Sequence, residues 1–331
     1  MKAILNKLFE YKSLDKKSAK EVLINLTQGK YNHSQMAAFL TVYSMRSITV
    51  DELEGFRDAM LELCVPIDLN GFDAMDLCGT GGDGKDTFNI STLSAFIVAG
   101  TGQKVAKHGN NGVSSLCGSS NLLSHFGVHF TNQKDFLEKC LDKANICFLH
   151  APLFHPAMKN VAPIRQELGV KTFFNMLGPM VNPSRPKKQI VGVFSLELAR
   201  LYSYLYQQTD KSYIIIHSLD GYDEVSLTGN FRIISKREEV ELGPGDLGLN
   251  TLRQEELCGG DTIQESAKIF ENILKGNGTK AQNQVVLANS ALAIYCANQN
   301  GSLKESLASA EESLKSGAAL KAFEKLVSLK P

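Results

Sequence analysis

Two hydrophobic patterns divide the chain into a helical first part and a mixed remainder. Up to residue 65, apolar residues recur at three- and four-residue steps, as in the stretch Met36–Met45, which predicts helices throughout. Ser34 and Thr49 stand where helix N-caps belong, and Pro66 ends the block. The sequence therefore predicts an all-helical segment over residues 1–65.

From Phe72 onward, strand-like apolar runs alternate with helix-like ones. The strand-like runs are Ala74–Cys78, Lys104–Lys107, Ile146–His150, Gln189–Phe194, Tyr213–His217 and Phe231–Ser235. The helix-like runs are Leu93–Ala99, Asn121–Phe126, Lys134–Leu141, Leu196–Gln207 and Ile263–Leu274, and residues 280–328 read as terminal helices. Such alternation is typical of βαβ units on a mostly parallel sheet. We expect a ligand in the cleft where the helical and α/β parts meet.

Residues 75–92 form the most informative segment, a short apolar run that breaks into a glycine-rich loop. Glycine at 79, 81, 82 and 84 permits positive φ values and lets backbone N–H groups approach an anion. Ser91 or Thr92 is expected to open the following helix, whose free amides would face the same concavity. The loop lacks the Lys-Ser or Lys-Thr of a P-loop and the spacing of a dinucleotide fingerprint, and the glycines alone are equally compatible with a plain strand-to-helix turn.

Composition and charge narrow the function classes. A chain of 331 residues suits two domains or one large α/β unit. Lys+Arg 35 balance Asp+Glu 35, so no global field favours nucleic acid or an anionic membrane as a partner. The seven scattered cysteines favour reduced, buried thiols over disulfides or zinc ligands. Since no stretch approaches the ~20 apolar residues of a membrane span, we expect a cytoplasmic protein.

Three further clusters are dense in polar residues. The segment Lys107–Asn121 follows a strand and places a cation, an imidazole and amides where open α/β sheets bind ligands. Arg165, on a predicted helix, offers a planar fork for a carboxylate, although a structural ion pair would use it equally well. Asp223 and Glu224 end another strand and suit a hydrated Mg²⁺, although an exposed acidic turn has the same composition.

With these clusters in order, the sequence resembles the anthranilate phosphoribosyltransferase family from the first helices to the last. The motifs that carry the resemblance are Gly79-Thr-Gly-Gly-Asp83, Thr87-Phe-Asn-Ile-Ser-Thr92, Lys107-His-Gly-Asn110, His155-Pro-Ala-Met158, Arg165 with its following Leu-Gly, Phe174-Asn-Met-Leu-Gly-Pro179 and Asp220-Gly-x-Asp-Glu224. Each motif is weak alone, and the set is specific.

The resemblance implies a small all-helical domain packed on a large α/β domain with a mostly parallel central sheet. The helical domain would comprise residues 1–65, joined by about 162–182, and the α/β domain residues 66–161 and 183–331. The implied reaction, a step of tryptophan biosynthesis, moves the phosphoribosyl group of phosphoribosyl pyrophosphate to the amine of anthranilate and releases pyrophosphate. Two Mg²⁺ ions per active site and a homodimer through the helical domains are also implied.

The resemblance assigns site residues position by position. Those for phosphoribosyl pyrophosphate are Gly79, Gly82, Asp83, Thr87, Asn89, Ile90, Ser91, Thr92, Lys107, His108, Gly109, Asn110, Asn111, Gly112, Val113, Ser114, Ser115 and Ser119. Those for anthranilate are Gly79, His108, Asn110, His155, Arg165 and Pro179, and those for Mg²⁺ are Ser91, Asp223 and Glu224. No acid or base is assigned. The aromatic amine is already a neutral nucleophile near pH 7, so Lys107, His108 and Arg165 would act by positioning and electrostatics.

The chain departs from the family pattern at Asn111, commonly Arg, and at Ser120-Asn121, commonly Ala-Asp. The missing cation at 111 predicts weaker binding of phosphoribosyl pyrophosphate unless another base substitutes. A pyrimidine nucleoside phosphorylase shares this architecture, but Lys107-His-Gly-Asn110 and Asp223-Glu224 favour the transferase. A non-catalytic relative that binds nucleic acid is disfavoured by the zero net charge and the paired carboxylates.

Overall fold

The computed structural model describes residues 1–112, 117–298 and 301–331, and the chain forms two compact units. One unit comprises residues 1–66 and 151–183, and the other residues 67–150 and 184–331. In the described residues the α-helices are α1 (Lys2–Phe9), α2 (Lys16–Thr27), α3 (His33–Met45), α4 (Val50–Leu63), α5 (Ile90–Gly100), α6 (Ser119–His125), α7 (Lys134–Ala144), α8 (Ala151–Phe154), α9 (Ala162–Leu168), α10 (Phe174–Leu177), α11 (Leu196–Gln207), α12 (Ile263–Leu274), α13 (Lys280–Ala297), α14 (Leu303–Lys315) and α15 (Ala318–Ser328). The strands are β1 (Met75–Gly79), β2 (Val105–Gly109), β3 (Ile146–His150), β4 (Lys188–Gly192), β5 (Ser212–Ser218), β6 (Phe231–Ser235) and β7 (Glu239–Leu242).

The helices of the first unit begin at side chains that accept backbone hydrogen bonds. Thr49 caps α4 as predicted, and the Glu52 side chain accepts in return from the Thr49 amide. The expectation that Ser34 caps α3 is wrong. Asn32 caps this helix, because its side chain accepts from the Gln35 amide at 2.9 Å and the Gln35 side chain completes a capping box.

An aromatic cluster forms the core of the first unit. Phe39, Tyr43 and Phe56 from α3 and α4 meet Phe173, which precedes α10. The rings of Phe56 and Phe173 stack with centroids 4.4 Å apart, and both are fully buried. The second stretch of this unit therefore supplies part of its core.

That second stretch begins at residue 151, earlier than the expected boundary near 162. Residues 151–160 are tied to the helices before them by hydrogen bonds. The amide of Val65 donates to the Phe154 carbonyl at 2.8 Å, and the side chain of Asn160 donates to the Thr27 carbonyl at 2.6 Å. The pattern of apolar residues along the sequence does not predict such hydrogen bonds between distant segments.

The second unit is built on a seven-stranded sheet of order β3-β2-β1-β4-β5-β6-β7. The strands β1 to β5 pair in parallel, whereas β6 and β7 are antiparallel, which confirms the prediction of a mostly parallel sheet. Helix α5 is buried along almost its whole length, as expected of a helix at the centre of such a unit. The strand order reverses between β1 and β4, and open α/β sheets bind ligands outside the carboxyl ends of the strands at such a point.

Among the residues described, no helix combines the length and the apolar character needed to cross a bilayer.

Candidate active site

The glycine-rich loop leaves β1 and wraps around a carboxylate. Gly81, Gly82 and Gly84 all have positive φ, at 66°, 76° and 75°. The amide of Gly81 donates to Oδ2 of Asp223 at 2.6 Å. One backbone N–H group of the loop is therefore bound to an acidic side chain of the chain itself.

Helix α5 begins at Ile90, so the expectation that Ser91 or Thr92 caps it is wrong. The N-cap residue is Asn89, whose side chain donates to the Cys117 carbonyl at 2.9 Å. The Ser91 amide donates to Oε1 of Glu224 at 2.8 Å, which places a carboxylate at the helix N-terminus, where the dipole favours negative charge. Ile90 and Thr92 are both buried, at 1% exposure.

Asp223 approaches β1 and β4 closely because two glycines leave room for it. A Cβ at Gly79 would lie 2.4 Å from Oδ2 of Asp223, and a Cβ at Gly192 would lie 1.4 Å from its carbonyl oxygen. Gly192 was not singled out in the sequence. Its position inside the strand-like run Gln189–Phe194 was the available signal, because a glycine inside a strand often marks a close approach of another backbone.

The two carboxylates lie in surroundings that oppose their ionisation. Burial, followed by the charge of Asp83, raises the pKa of Asp223 to about 7. Burial and the neighbouring Asp223 raise the pKa of Glu224 well above its usual range. A divalent cation would relieve this repulsion, and carboxylate oxygens are ligands that Mg²⁺ prefers. In the described part of the chain, no three His, Cys, Asp or Glu side chains converge to hold a metal ion, which is compatible with Mg²⁺, since this ion commonly takes only one or two protein carboxylates.

Lys107 lies in β2 beside this pair and is only 2% exposed. Its ammonium group donates to the Leu77 carbonyl and, at 3.4 Å, to Oγ of Ser91. Burial lowers the pKa of Lys107, and neighbouring groups that include Asp76 act in the opposite direction. A buried cation thus stands next to the glycine loop.

The residues after Lys107 are fastened to the start of α6. The Asn110 carbonyl accepts from the Ser120 amide at 3.1 Å and from the Ser119 hydroxyl at 3.3 Å. Oδ1 of Asn121 accepts from the amides of Gly112 and Gly118, at 2.8 and 3.1 Å. Asn121, seen in the sequence only as a departure from the family pattern, therefore braces this loop.

The remaining predicted residues take varied positions. His108 is buried, whereas Asn111 is exposed. A Cβ at Gly109 would lie 2.4 Å from Oγ of Ser119. The side chain of Asp83 accepts a hydrogen bond from the Lys85 amide at 3.2 Å. Thr87 forms a β-bridge with Cys258, and Gly82 is buried. Val113, Ser114 and Ser115 lie outside the described residues.

The three residues assigned to anthranilate in the first unit are held by their own neighbours. The guanidinium of Arg165 donates to Oδ1 of Asn175 at 3.3 Å and lies over the Phe174 ring, 5.3 Å from its centroid. Desolvation lowers the pKa of Arg165. His155 is buried, with Nε2 3.0 Å from the Val181 carbonyl, and Pro179 is buried too. An amide and an aromatic ring thus hold the guanidinium in place.

Comparison with known proteins defines the class of the molecule first. A model of the glycosyl transferase family, helical bundle domain, matches residues 2–64, and a model of the glycosyl transferase family, a/b domain, matches residues 71–320. A helical bundle and a glycine-loop α/β unit together thus define a glycosyl transferase.

Full-length relatives then define the family. The anthranilate phosphoribosyltransferases of Christiangramia forsetii and Flavobacterium psychrophilum are 60% and 61% identical over 329 residues, which cover 99% of each chain compared. The crystal structure of anthranilate phosphoribosyltransferase from Thermus thermophilus matches with a TM-score of 0.89 at 34% identity, over 98% of both chains. The structure of the Saccharomyces cerevisiae enzyme in complex with PRPP and Mg matches with a TM-score of 0.88 at 28% identity, over 98% of this chain and 95% of that one. The chain belongs to the anthranilate phosphoribosyltransferase family, which confirms the resemblance seen in its motifs.

Proposed function

We propose that this chain transfers the phosphoribosyl group of phosphoribosyl pyrophosphate to the amine of anthranilate and releases pyrophosphate. One observation carries the proposal in a chain of this family. The glycine loop after β1, the buried cation of Lys107 in β2 and the Asp223-Glu224 pair after β5 are joined through a chain of hydrogen bonds that includes Ser91. This grouping suits a substrate that is rich in phosphate and is bound with a divalent cation.

The charges that develop in the reaction explain the arrangement. As the bond between the anomeric carbon and the pyrophosphate oxygen breaks, negative charge grows on the leaving group and positive charge on the ribose ring. Lys107 and the N–H groups of the glycine loop stabilise the first of these charges. Mg²⁺, held by Asp223 and Glu224 with the help of Ser91, would supply further neutralisation of the pyrophosphate. We expect two such ions per active site.

The second substrate is recognised by its carboxylate. We assign this role to Arg165, because its fork can form two parallel hydrogen bonds to a planar carboxylate. Asn175 and Phe174 restrain the guanidinium before the substrate arrives, which reduces the entropy lost on binding. The amine then attacks the anomeric carbon and loses its proton to solvent, so orientation outweighs a strong base.

We also propose that two copies associate through the helical unit. Phe9 in α1 is 58% exposed, Tyr11 in the turn after α1 is 83% exposed, and Met45 in α3 is 78% exposed. Helices α1 and α3 contact each other, and exposed apolar side chains that form one patch are typical of a surface that another protein covers. Sedimentation equilibrium should give a molecular mass twice that of the chain. Charged substitutions at Tyr11 and Met45 should reduce this mass to that of a single chain.

The test of the transferase activity is a fluorescence assay of anthranilate consumption with phosphoribosyl pyrophosphate and Mg²⁺. Activity should require the metal and should collapse in the double variant Asp223→Asn/Glu224→Gln, whose fold should survive. Phosphorolysis of thymidine or uridine in place of anthranilate consumption would make the chain a nucleoside phosphorylase. Salt-sensitive binding of single-stranded DNA without turnover would make it a non-catalytic relative.

A further inference from the structure

A buried carboxylate beneath the proposed site has no part in the reaction described so far. Asp76 stands in β1 and is fully buried. Its Oδ1 accepts from the His108 amide at 3.1 Å, and its Oδ2 accepts from the Gln189 side chain at 3.3 Å and from the Cys78 thiol at 3.6 Å. Burying a carboxylate in a strand is costly unless charges and hydrogen bonds compensate it.

The partners of Gln189 show which form Asp76 takes. Oε1 of Gln189 accepts from the Tyr206 hydroxyl at 2.9 Å and from the Lys211 ammonium at 3.2 Å. Because two donors fix this oxygen, the amide NH₂ faces Asp76 as a donor. A backbone amide donates to the other oxygen of Asp76. Hydrogen bonds donated to both oxygens of Asp76 favour its ionised form.

The nearby charge that needs such a partner is Lys107. The Lys107 ammonium donates to the carbonyl of Leu77, the residue after Asp76, and the amide of His108, the residue after Lys107, donates to Oδ1 of Asp76. The charges of Asp76, Glu224 and Asp223 oppose the lowering of the Lys107 pKa by burial. Asp223 and Glu224 are the groups that we assign to Mg²⁺, so their charge is shared with the metal once it binds. Asp76 is then the carboxylate that continues to balance the buried ammonium.

We propose that Asp76 is a positioning residue of the pyrophosphate site, whose carboxylate is the permanent counter-charge of Lys107 and anchors the start of the His108–Gly112 segment. This inference rests on the proposed function, because it requires that Lys107 meets the pyrophosphate group. Asp76 itself touches neither substrate. It acts by holding the cation and the loop that do.

The test compares Asp76→Asn with Tyr206→Phe in the full-length protein. The asparagine keeps an oxygen that can accept from the His108 amide, and it removes the negative charge. Its NH₂ group then faces the NH₂ group of Gln189, so the hydrogen bond between these two side chains is lost. We expect the KM and the calorimetric Kd for phosphoribosyl pyrophosphate to rise roughly 10- to 100-fold, the loss typical of groups that hold a binding side chain in place. The KM for anthranilate should change less than about threefold. Tyr206→Phe removes a buried hydrogen bond from the same network without changing Asp76, so it should lower Tm and leave the Kd for phosphoribosyl pyrophosphate unchanged.

A second variant separates charge from hydrogen bonding. Asp76→Asn/Gln189→Glu restores a donor-acceptor match and moves the negative charge one side chain away, toward Lys211. Its Tm should recover, but its Kd for phosphoribosyl pyrophosphate should stay raised. Full recovery of that Kd, or a Kd for Asp76→Asn equal to that of Tyr206→Phe, would overturn the inference. If the wild-type chain binds phosphoribosyl pyrophosphate but consumes no anthranilate, the proposed function fails, and the same Kd comparison still decides the role of Asp76.

Discussion

Replacing Gly192 by alanine should displace the loop that carries Asp223 and Glu224. The new methyl carbon would lie 1.4 Å from the Asp223 carbonyl oxygen, so that oxygen must retreat by about 2 Å to reach an ordinary contact. The strand cannot give way, because β4 is paired with β1 on one side and with β5 on the other. The loop therefore moves, and both carboxylates move with it.

Two magnitudes follow from that displacement. Overpacking of this kind costs about 1–3 kcal/mol of stability, and misplacing catalytic groups by ~1 Å costs roughly 100-fold in rate. We expect a lower Tm, a higher Mg²⁺ requirement and a fall of that order in the rate of anthranilate consumption. The matched control is Gly229→Ala, where an added Cβ would meet no described heavy atom within 4 Å. If both variants have the same Tm and the same Mg²⁺ titration, the close approach of Asp223 to β4 is not a constraint on the site.

Three further outcomes can be measured on the same preparation. In metal-free protein, the free energy of unfolding should fall as the pH rises from about 4 through 7, because folded Asp223 keeps its proton up to a pKa of about 7, whereas the unfolded group loses it near 3.8. Thermal unfolding of Asp223→Asn between pH 5 and 8 should therefore show a smaller change of Tm with pH than the wild type. Equal changes in the two proteins would contradict the raised pKa of Asp223. Arg165→Ala should raise the KM for anthranilate by the equivalent of ~1.5–3 kcal/mol, far more than that for phosphoribosyl pyrophosphate, with poor rescue by lysine; equal effects on both substrates would make Arg165 a structural residue. Asn111→Arg should lower the KM for phosphoribosyl pyrophosphate, with a gain that shrinks as salt rises, and an unchanged or higher KM at low salt would remove the idea of a missing charge.

Two strongly periodic helices were predicted to the residue, whereas the helix predicted over Lys134–Leu141 extends to Ala144. The helices Leu196–Gln207 and Ile263–Leu274 have the predicted bounds, because each places one apolar stripe on the core and follows a Ser or Thr cap. The strand Glu239–Leu242 was missed, since its alternating glutamates lie exposed at the sheet edge and resemble a solvated turn.

The candidate site was predictable in its residue types and less so in its support. The grouping of loop, lysine and carboxylates follows from their common place after parallel strands. The contacts beneath them do not, because Asp76 meets Gln189 across 113 residues of sequence and only the pairing of β1 with β4 brings them together. For the same reason, no local pattern marks Gly192 as the neighbour of Asp223.

The discontinuous helical unit has a consequence for synthesis on the ribosome. Its first helices are complete by residue 66, but Phe173, which closes their aromatic core, is translated more than 100 residues later. At ~5–20 residues per second, the emerging helices wait on the order of 10 s with Phe39, Tyr43 and Phe56 uncovered. During that interval the nascent chain exposes a hydrophobic surface that chaperones can bind. A chain truncated after residue 66 would lack Phe173 and would leave these three aromatic side chains exposed permanently. The helical unit therefore cannot be exchanged between relatives by replacing residues 1–66 alone.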